Sequence, residues 1–249
     1  MFNFFVEVSN KNCDGYIIDG KDYNHIKNVL RMKEGEKLLV SCDGKSDLCE
    51  IVSFENESVN LRIVTEDYNN TELPVEIVLF QGLPKSDKFE LIIQKTVELG
   101  VSEIYPVEMK NCVVKLDDKK KDSKVSRWQS ISEAAAKQSK RNLIPDIKNV
   151  IKLKSITEVS KGIDLLLVPY ENEEGMKATV QVLNQIKSGM KIGIVIGPEG
   201  GFDKGEIDFL KSNGAVIISL GKRILRTETA AITAVGMIMM KAEMDSEVS

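Results

Sequence analysis

One segment decides the fold class, an apolar run that ends in a glycine-rich turn: Ile192-Gly193-Ile194-Val195-Ile196-Gly197-Pro198-Glu199-Gly200-Gly201-Phe202-Asp203. The apolar part has the length of a buried strand, and Asp203 with Glu206 matches the capping box that begins a helix. A strand that leads through a turn into a helix is typical of an α/β protein with a parallel sheet covered by helices. Ligands of open α/β sheets bind at the carboxyl ends of strands, and glycine lets a ligand come close to the backbone. The turn is therefore a candidate binding site, and a tight connection without function is the alternative.

A second turn follows the apolar strand that ends at Leu220, and it reads Gly221-Lys222-Arg223-Ile224-Leu225-Arg226-Thr227-Glu228. Neither turn contains the G-x-G-x-x-G or Walker pattern, so neither predicts a dinucleotide or triphosphate site. The next segment, Thr229 to Lys241, is apolar on nearly all sides, which predicts a helix buried in the domain or against a partner chain. Arg226 and Glu228 lie at the start of this helix, beside oriented backbone amides. Helix capping and a surface ion pair are the alternative explanation for them.

Outward from these turns, the chain divides into two parts. From Pro74 on, strand-length apolar segments alternate with helical ones, so residues 74–249 predict an α/β domain. Before residue 67 the segments are short and β-like, with one predicted helix from Asp22 to Met32, so residues 1–70 predict a small β-barrel domain. The polar segment from Asp67 to Glu72 predicts the linker between them.

The composition excludes several classes of protein. The 249 residues carry 34 basic and 38 acidic side chains. No apolar run reaches the roughly 20 residues that a membrane span needs. A single histidine and four cysteines without a C-x-x-C pair predict neither a metal site nor a disulfide framework. No basic region precedes an apolar stretch at the start, so we expect no secretory signal, no membrane association and a cytoplasmic location.

The charge is unevenly distributed along the chain. Residues 1–73 hold 8 basic and 14 acidic side chains, a net charge of −6, whereas Lys110 to Arg141 holds ten basic against four acidic. Such a local excess suits the phosphate backbone of a nucleic acid. Polar and basic residues also share faces of two predicted helices, one with Lys85 and Lys88 and one with Gln138 and Arg141. Solvated surface charges are the alternative explanation.

Taken together, these segments resemble the RsmE family, enzymes of the SPOUT superfamily that methylate N3 of a uridine in bacterial small-subunit ribosomal RNA. The resemblance covers nearly the whole chain and rests on these segments: Gly197 to Gly201, Leu220 to Ala231, Pro84 to Lys88, Lys95 to Val101, Gln138 to Arg141 with Pro145, His25 with Val29 to Arg31, and Asp43-Gly44. The chain departs from the family at Asn3, where an arginine is usual, and at Lys137, where an acidic residue is common.

The resemblance implies a fold and a function. It implies a small PUA-like β-barrel domain that binds RNA, followed by a SPOUT-type α/β domain with a mostly parallel sheet and a trefoil knot. It also implies S-adenosylmethionine as the cofactor, ribosomal RNA or the small ribosomal subunit as the partner, and a homodimer around the site. The open alternatives are a SPOUT enzyme that acts on another RNA or atom, and a non-catalytic RNA-binding protein of ribosome assembly.

Three groups of candidate functional residues follow; the RNA and cofactor contacts are carried over from the resemblance residue by residue, and the catalytic pair is a hypothesis from the chemistry of the reaction. Arg226 would stabilise negative charge on the uracil carbonyl oxygens, and Glu228 is a candidate general base, with water or Arg226 itself as the alternative base. The predicted RNA contacts are His25, Arg31, Lys85, Lys88, Gln138 and Arg141. The predicted cofactor contacts are Pro169, Tyr170, Ile196, Gly197, Pro198, Glu199, Gly200, Gly201, Leu220, Gly221, Ile224, Leu225 and Thr229.

Overall fold

A computed structural model describes residues 1–68, 70–171 and 175–248 of the chain. The chain forms two units, Met1–Glu72 with Ala136–Leu143 and Leu73–Ala135 with Ile144–Ser249. The sequence predicts a single division between residues 70 and 74, whereas the structure adds the short segment 136–143 to the first unit.

The first unit is built on a mixed sheet of five strands: β1 (Asn3–Phe5), β2 (Gly15–Ile18), β3 (Lys37–Cys42), β4 (Lys45–Glu55) and β5 (Ser58–Thr65). The strand order is β1-β3-β4-β5-β2; β1 pairs with β3 in parallel, and the other neighbours are antiparallel. Two register shifts between β4 and β5 allow the long β4 to bend. Phe4 and Tyr16, on the two outermost strands, pack into the same core. The sheet therefore curves around one core, in agreement with the PUA-like barrel that the sequence predicts.

The helix of this unit is shorter than the sequence predicts. Helix α1 (Gly20–Asn24) continues as a π-helical turn over His25–Val29, in which Ile26 is fully buried. The chain then leaves the helical conformation at Arg31, whose φ of 54° lies in the left-handed region. A residue in that conformation ends a helix, so the predicted extension to Met32 does not form.

Arg141 explains why the segment 136–143 belongs to the first unit. Its guanidinium is 4% exposed and binds both carboxylate oxygens of Glu72, with Nε–Oε1 and Nε–Oε2 distances of 3.0 and 2.9 Å. The backbone N–H of Asn142 donates to the same carboxylate, and the side chain of Asn3 donates to the carbonyl of Arg141. The predicted RNA contact at Arg141 is therefore buried and charge-paired within the first unit, an environment that favours a structural role over contact with a ligand.

The second unit contains a parallel sheet of seven strands. These are β6 (Glu76–Gly82), β7 (Glu103–Glu108), β8 (Asp146–Ile147), β9 (Ile151–Lys152), β10 (Leu165–Pro169), β11 (Lys191–Ile196) and β12 (Val216–Ile218). The order is β12-β10-β11-β6-β7-β8, and β9 also pairs with β7. The fully buried Val78, Phe80 and Val195 belong to a core cluster of this unit. The helices are α2 (Ser86–Glu98), α3 (Asp118–Ser139), α4 (Ile156–Val159), α5 (Lys177–Leu183), α6 (Lys204–Ser212) and α7 (Thr227–Val248).

The sheet brings the carboxyl ends of four strands to one edge. β12, β10, β11 and β6 are consecutive neighbours and run parallel, so Ile218, Pro169, Ile196 and Gly82 end on the same side. From β6 the chain first builds the β7 side of the sheet and later the β11 side, which makes the β6–β11 boundary a topological switch point. The two glycine-rich turns of the sequence therefore belong to the edge at which ligands of such sheets bind. The trefoil knot stays a prediction of the resemblance.

Helix α7 begins two residues before the predicted Thr229 and continues seven residues past Lys241. One side of it is buried through Ala231, Val235 and Ile238, and it packs against α2. The predicted burial on nearly all sides is not seen within this unit, since Met240 and Met244 are 47% and 57% exposed. In the part of the chain that the structure describes, no helix is both long and apolar enough to cross a membrane.

Candidate functional site

A cavity of about 300 Å³ lies at the carboxyl ends of β10, β11 and β12. Its size falls at the lower end of the range for small-molecule sites, roughly 300–1,000 Å³. Twelve of the fifteen predicted catalytic and cofactor residues lie along its wall: Pro169, Tyr170, Ile196, Gly197, Pro198, Glu199, Gly201, Leu220, Gly221, Ile224, Leu225 and Arg226. The structure also places Lys88, Glu171, Phe202, Ser219, Arg223, Thr227 and Ala230 there.

The other three predicted catalytic and cofactor residues do not line this cavity. Gly200 packs against Asn111, and an added Cβ would lie 2.9 Å from the Cβ and the carbonyl oxygen of that asparagine. Thr229 is exposed on the first turn of α7. Glu228 is not among the residues of the wall, but it forms an ion pair with Lys88, which is.

The glycine-rich turn after β11 is fixed by a chain of buried hydrogen bonds. The hydroxyl of Thr227 donates to the carbonyl of Gly197 at 2.7 Å, and the amide of Gln81 donates to that hydroxyl at 2.9 Å. Gln81 is fully buried at the end of β6, and Thr227 is the first residue of α7. The end of β6 and the start of α7 are thereby tied to the same turn.

Gly82 is a site residue that the sequence analysis missed. A Cβ at this position would lie 2.7 Å from the nitrogen and 2.8 Å from Cδ of Pro198, and 3.0 Å from the carbonyl carbon of Gly197. Only glycine therefore lets the turn after β11 rest on the end of β6. No local signal marks Gly82, because the clash depends on a strand more than a hundred residues away.

A second missed element is the loop after β7, which holds the far side of the same turn. The side-chain amide of Asn111 donates to the carbonyls of Gly200 and Gly201, each at 3.2 Å. Lys110 pairs with Asp203 at 2.7 Å, and its backbone N–H donates to Glu206 at 2.8 Å. Asp203 and Glu206 also form the predicted capping box of α6. The turn is thus fixed at both ends before any ligand binds.

Lys88 lies between two carboxylates. Its Nζ is 3.4 Å from Oε1 of Glu199 and 3.6 Å from Oε2 of Glu228, and these three side chains are between 15% and 26% exposed. The predicted RNA contact at Lys88 is therefore engaged inside the site. The side chain of Lys85 is exposed, while its backbone N–H donates to Oε1 of Glu199 at 3.1 Å.

The carboxylate of Glu199 is held in its charged form. Burial opposes the charge, but the backbone N–H groups of Lys85 and Glu199 and the ammonium of Lys88 outweigh it, so the pKa of Glu199 lies below its ordinary value. Its second oxygen, Oε2, is buried and has no hydrogen-bond partner among the residues described. An ionised oxygen in this state is an acceptor that lacks a donor.

The remaining predicted RNA contacts lie in the first unit. His25, Arg31 and Gln138 are exposed, and the ring of His25 packs edge-on against Phe4 with 6.0 Å between ring centres. Their roles stay predictions. Over residues 1–68, 70–171 and 175–248, no group of three or more histidine, cysteine or acidic side chains is arranged to hold a metal ion.

Comparison with known proteins identifies the family. A family model for an RNA methyltransferase domain matches residues 71–239, and one for an RNA methyltransferase PUA domain matches residues 18–64. The chain is 36% identical to Ribosomal RNA small subunit methyltransferase E of Bacillus subtilis (strain 168), over 98% of both chains. It is also 36% identical to the protein of that name from Mesomycoplasma hyopneumoniae (strain 232), over 93% of this chain and 96% of the relative.

Solved structures agree with this result. The crystal structure of a Ribosomal RNA small subunit methyltransferase E from Neisseria gonorrhoeae, bound to S-adenosyl methionine, matches with a TM-score of 0.78 and 29% identity. The match covers 96% of this chain and 97% of that one. The chain therefore belongs to the ribosomal RNA small subunit methyltransferase E family, the RsmE family that its motifs resemble.

Proposed function

We propose that this chain is an S-adenosylmethionine-dependent methyltransferase that methylates N3 of a specific uridine in small-subunit ribosomal RNA. The observation that carries the proposal is the single cavity formed by both glycine-bearing turns, into which Arg226 and Glu199 also project. Family membership supports it, since the curated relatives are named ribosomal RNA small subunit methyltransferases. Such a protein acts where ribosomes are assembled, in the cytoplasm.

The residues of the cavity fit S-adenosylmethionine. Glu171 supplies negative charge for its ammonium and sulfonium groups, and Arg223 supplies positive charge for its carboxylate, which leaves Arg226 for the RNA. The backbone of the turns after β11 and β12 supplies polar groups that side chains do not obstruct. The bound cofactor would supply a methyl group already activated by its sulfonium. Its predicted contacts are Pro169, Tyr170, Ile196 to Gly201, Leu220, Gly221, Ile224, Leu225 and Thr229.

The protein has two chemical tasks in this reaction. It must hold the uracil N3 in line with the methyl group, since alignment alone supplies a large part of such rate enhancements. It must also stabilise the negative charge that grows on the uracil carbonyl oxygens as the N3 proton leaves. Arg226, exposed at the cavity wall, is suited to that second task.

We expect exposed polar and basic side chains of both units to bind the RNA. His25, Arg31 and Gln138 are available on the first unit, and Lys85 on the second. Contacts to phosphates would make binding weaken steeply as salt rises. Arg141 is excluded from this set because its guanidinium is buried against Glu72.

We also infer a homodimer formed through α7. Met240 and Met244 are one helical turn apart and exposed, which leaves an apolar strip on a helix that is otherwise rich in apolar residues. Met240→Asp is expected to convert the dimer to a monomer, because an unpaired charge in an apolar interface is costly. Analytical ultracentrifugation measures this, with Val113→Asp as the control at another exposed apolar residue. A monomeric wild-type chain, or a Met240→Asp variant that stays dimeric, would contradict the inference.

The function itself is tested with the purified chain, labelled S-adenosylmethionine and small ribosomal subunits that lack the modification. Nucleoside mass spectrometry is expected to find N3-methyluridine at one site in the ribosomal RNA. Methylation of another atom or another RNA would support a SPOUT enzyme of different specificity. No binding of S-adenosylmethionine in calorimetry would support the non-catalytic assembly protein instead.

A further inference from the structure

Two carboxylates lie close to the cavity, and they differ in what they can do. Glu199 lines the cavity, whereas Glu228 does not. The Oε2 atom of Glu228 lies 3.6 Å from the ammonium of Lys88 and, like Oε2 of Glu199, is buried with no hydrogen-bond partner among the residues described. The Oε1 atom of Glu199 takes both the backbone N–H of Lys85 and the ammonium of Lys88, which leaves its Oε2 without a hydrogen-bond partner in the described structure. Both carboxylates therefore have an oxygen that lacks a donor, and Glu199 is the one of the two whose side chain belongs to the cavity wall.

We propose that Glu199 accepts the N3 proton of the target uridine and that Lys88 is the residue that positions it; the proposal rests on the function proposed above. The edge of uracil presents a carbonyl oxygen, the N3–H donor and a second carbonyl oxygen. A carboxylate beside a guanidinium complements this edge, since Glu199 can accept from N3–H while Arg226 donates to a carbonyl. Cytosine has a lone pair at N3 in place of the proton, so the same carboxylate would repel it. Glu199 thus selects uracil as well as activating it.

The reaction balances with a sulfonium methyl donor. The N3–H bond breaks, and its proton bonds to Oε2 of Glu199. The electron pair left on N3 bonds the methyl carbon while the carbon–sulfur bond breaks and its electrons stay on sulfur. The protonated carboxyl group then releases its proton to water.

Lys88 sets the charge state of this acceptor. The charged groups that line the cavity around Glu199 are Lys88 from α2, Glu171 after β10, and Arg223 and Arg226 before α7; Glu228 adds a negative charge behind Lys88. Without Lys88, Glu199 and Glu228 would face each other with no cation between them, which favours protonation of Glu199. A general base works only when it is ionised, so protonation of Glu199 removes activity as the pH falls. In a chain without Lys88, this loss of activity would begin at a higher pH than in the wild-type chain.

The first test compares Glu199→Gln with the wild-type chain at saturating S-adenosylmethionine. We expect the single-turnover rate on small subunits to fall by about 10²–10⁴-fold. The Kd for S-adenosylmethionine in calorimetry separates this role from the cofactor contact that the sequence predicts for Glu199, and it should change little if the carboxylate acts on the uracil. RNA that carries 5-fluorouridine, whose N3 proton is more acidic, should recover part of the lost rate. Glu158→Gln, at an exposed carboxylate, is the matched control.

The second test follows the pH dependence of the single-turnover rate in Lys88 variants. Lys88→Met should move the acid limb of the profile upward by about one pH unit. Lys88→Arg should keep the acid limb near its wild-type position. Lys88→Met combined with Glu228→Gln should return the acid limb toward that position, because the second negative charge is removed. Lys95→Met is the control, since Lys95 lies on the same helix and pairs with the surface residue Glu98.

The outcomes separate this inference from the proposed function. If the wild-type chain binds no S-adenosylmethionine or transfers no methyl group, the proposed function fails. If the wild-type chain is active and Glu199→Gln keeps its saturated rate, Glu199 is not the proton acceptor. If Glu199→Gln weakens only the binding of S-adenosylmethionine, the residue is a cofactor contact. An unshifted profile in Lys88→Met would remove the positioning role, provided that circular dichroism shows the variant to be folded.

Discussion

The Gly82→Ala variant is expected to bind S-adenosylmethionine about a hundredfold more weakly than the wild-type chain. The added methyl carbon would lie 2.7 Å from the backbone nitrogen of Pro198, a distance at which the turn must move. Backbone atoms cannot rotate away as a flexible side chain can. The turn after β11 would therefore shift relative to the turn after β12, and the cavity that the two share would change shape.

Isothermal titration calorimetry measures this loss, and thermal unfolding shows whether the variant is folded. Gly236→Ala is a suitable control, because Gly236 lies inside α7 and its added methyl carbon would approach only Leu99, at 3.7 Å. Alanine is also the better helix former, so this control should be as stable as the wild-type chain or slightly more so. Unchanged affinity in a folded Gly82→Ala variant would show that the contact between β6 and the turn does not shape the binding site.

The same contact shows which features could be predicted from the sequence. The strand Lys191–Ile196, the turn after it and the capped helix α6 all depend on local signals: an apolar run, glycines, and the Asp203–Glu206 capping box. Such signals lie within a few residues of one another and need no knowledge of the tertiary fold. The architecture of the second unit followed from the alternation of these local patterns.

The features that were missed depend on residues far apart in the chain. Gly82 meets Pro198, and Asn111 meets Gly200 and Gly201, only because the sheet places β6 beside β11 and β7 next to β6. Neither residue stands out from its neighbours in the sequence. A single sequence identifies the binding turn, but the supports of the turn require the strand order.

Charged residues were the least predictable, for a related reason. Arg141 and Lys88 both lie in basic segments and are equally suited, by type, to contact a phosphate. The fold instead pairs Arg141 with Glu72 and Lys88 with Glu199 and Glu228. The role of a basic side chain depends on whether the fold buries it beside a carboxylate. Residues that are close in the sequence can also differ completely in exposure, as exposed Gln138 and buried Arg141 do.

Arg226→Ala is expected to lower the single-turnover rate of methylation by about 10²–10³-fold at saturating S-adenosylmethionine. The side chain lies at the wall of the cavity and is exposed, so its guanidinium can reach a base that enters from the RNA. As the N3 proton leaves, negative charge spreads to the two carbonyl oxygens beside it. A planar guanidinium with several N–H donors can bind such an oxygen directionally, which an ammonium does less well. Arg226→Lys should therefore have an intermediate rate.

The Kd for S-adenosylmethionine in the Arg226→Ala variant separates this role from cofactor binding. A charge that acts on the uracil in the transition state lowers the rate constant and leaves the Kd nearly unchanged. Lys222→Ala is the control, because Lys222 is an exposed cation on the same loop that does not line the cavity. A wild-type rate in Arg226→Ala would remove the role assigned to the guanidinium. A raised Kd with an unchanged saturated rate would show instead that Arg226 binds the carboxylate of the cofactor. Backbone N–H groups of the turn, or Arg223, would then have to stabilise the charge on uracil.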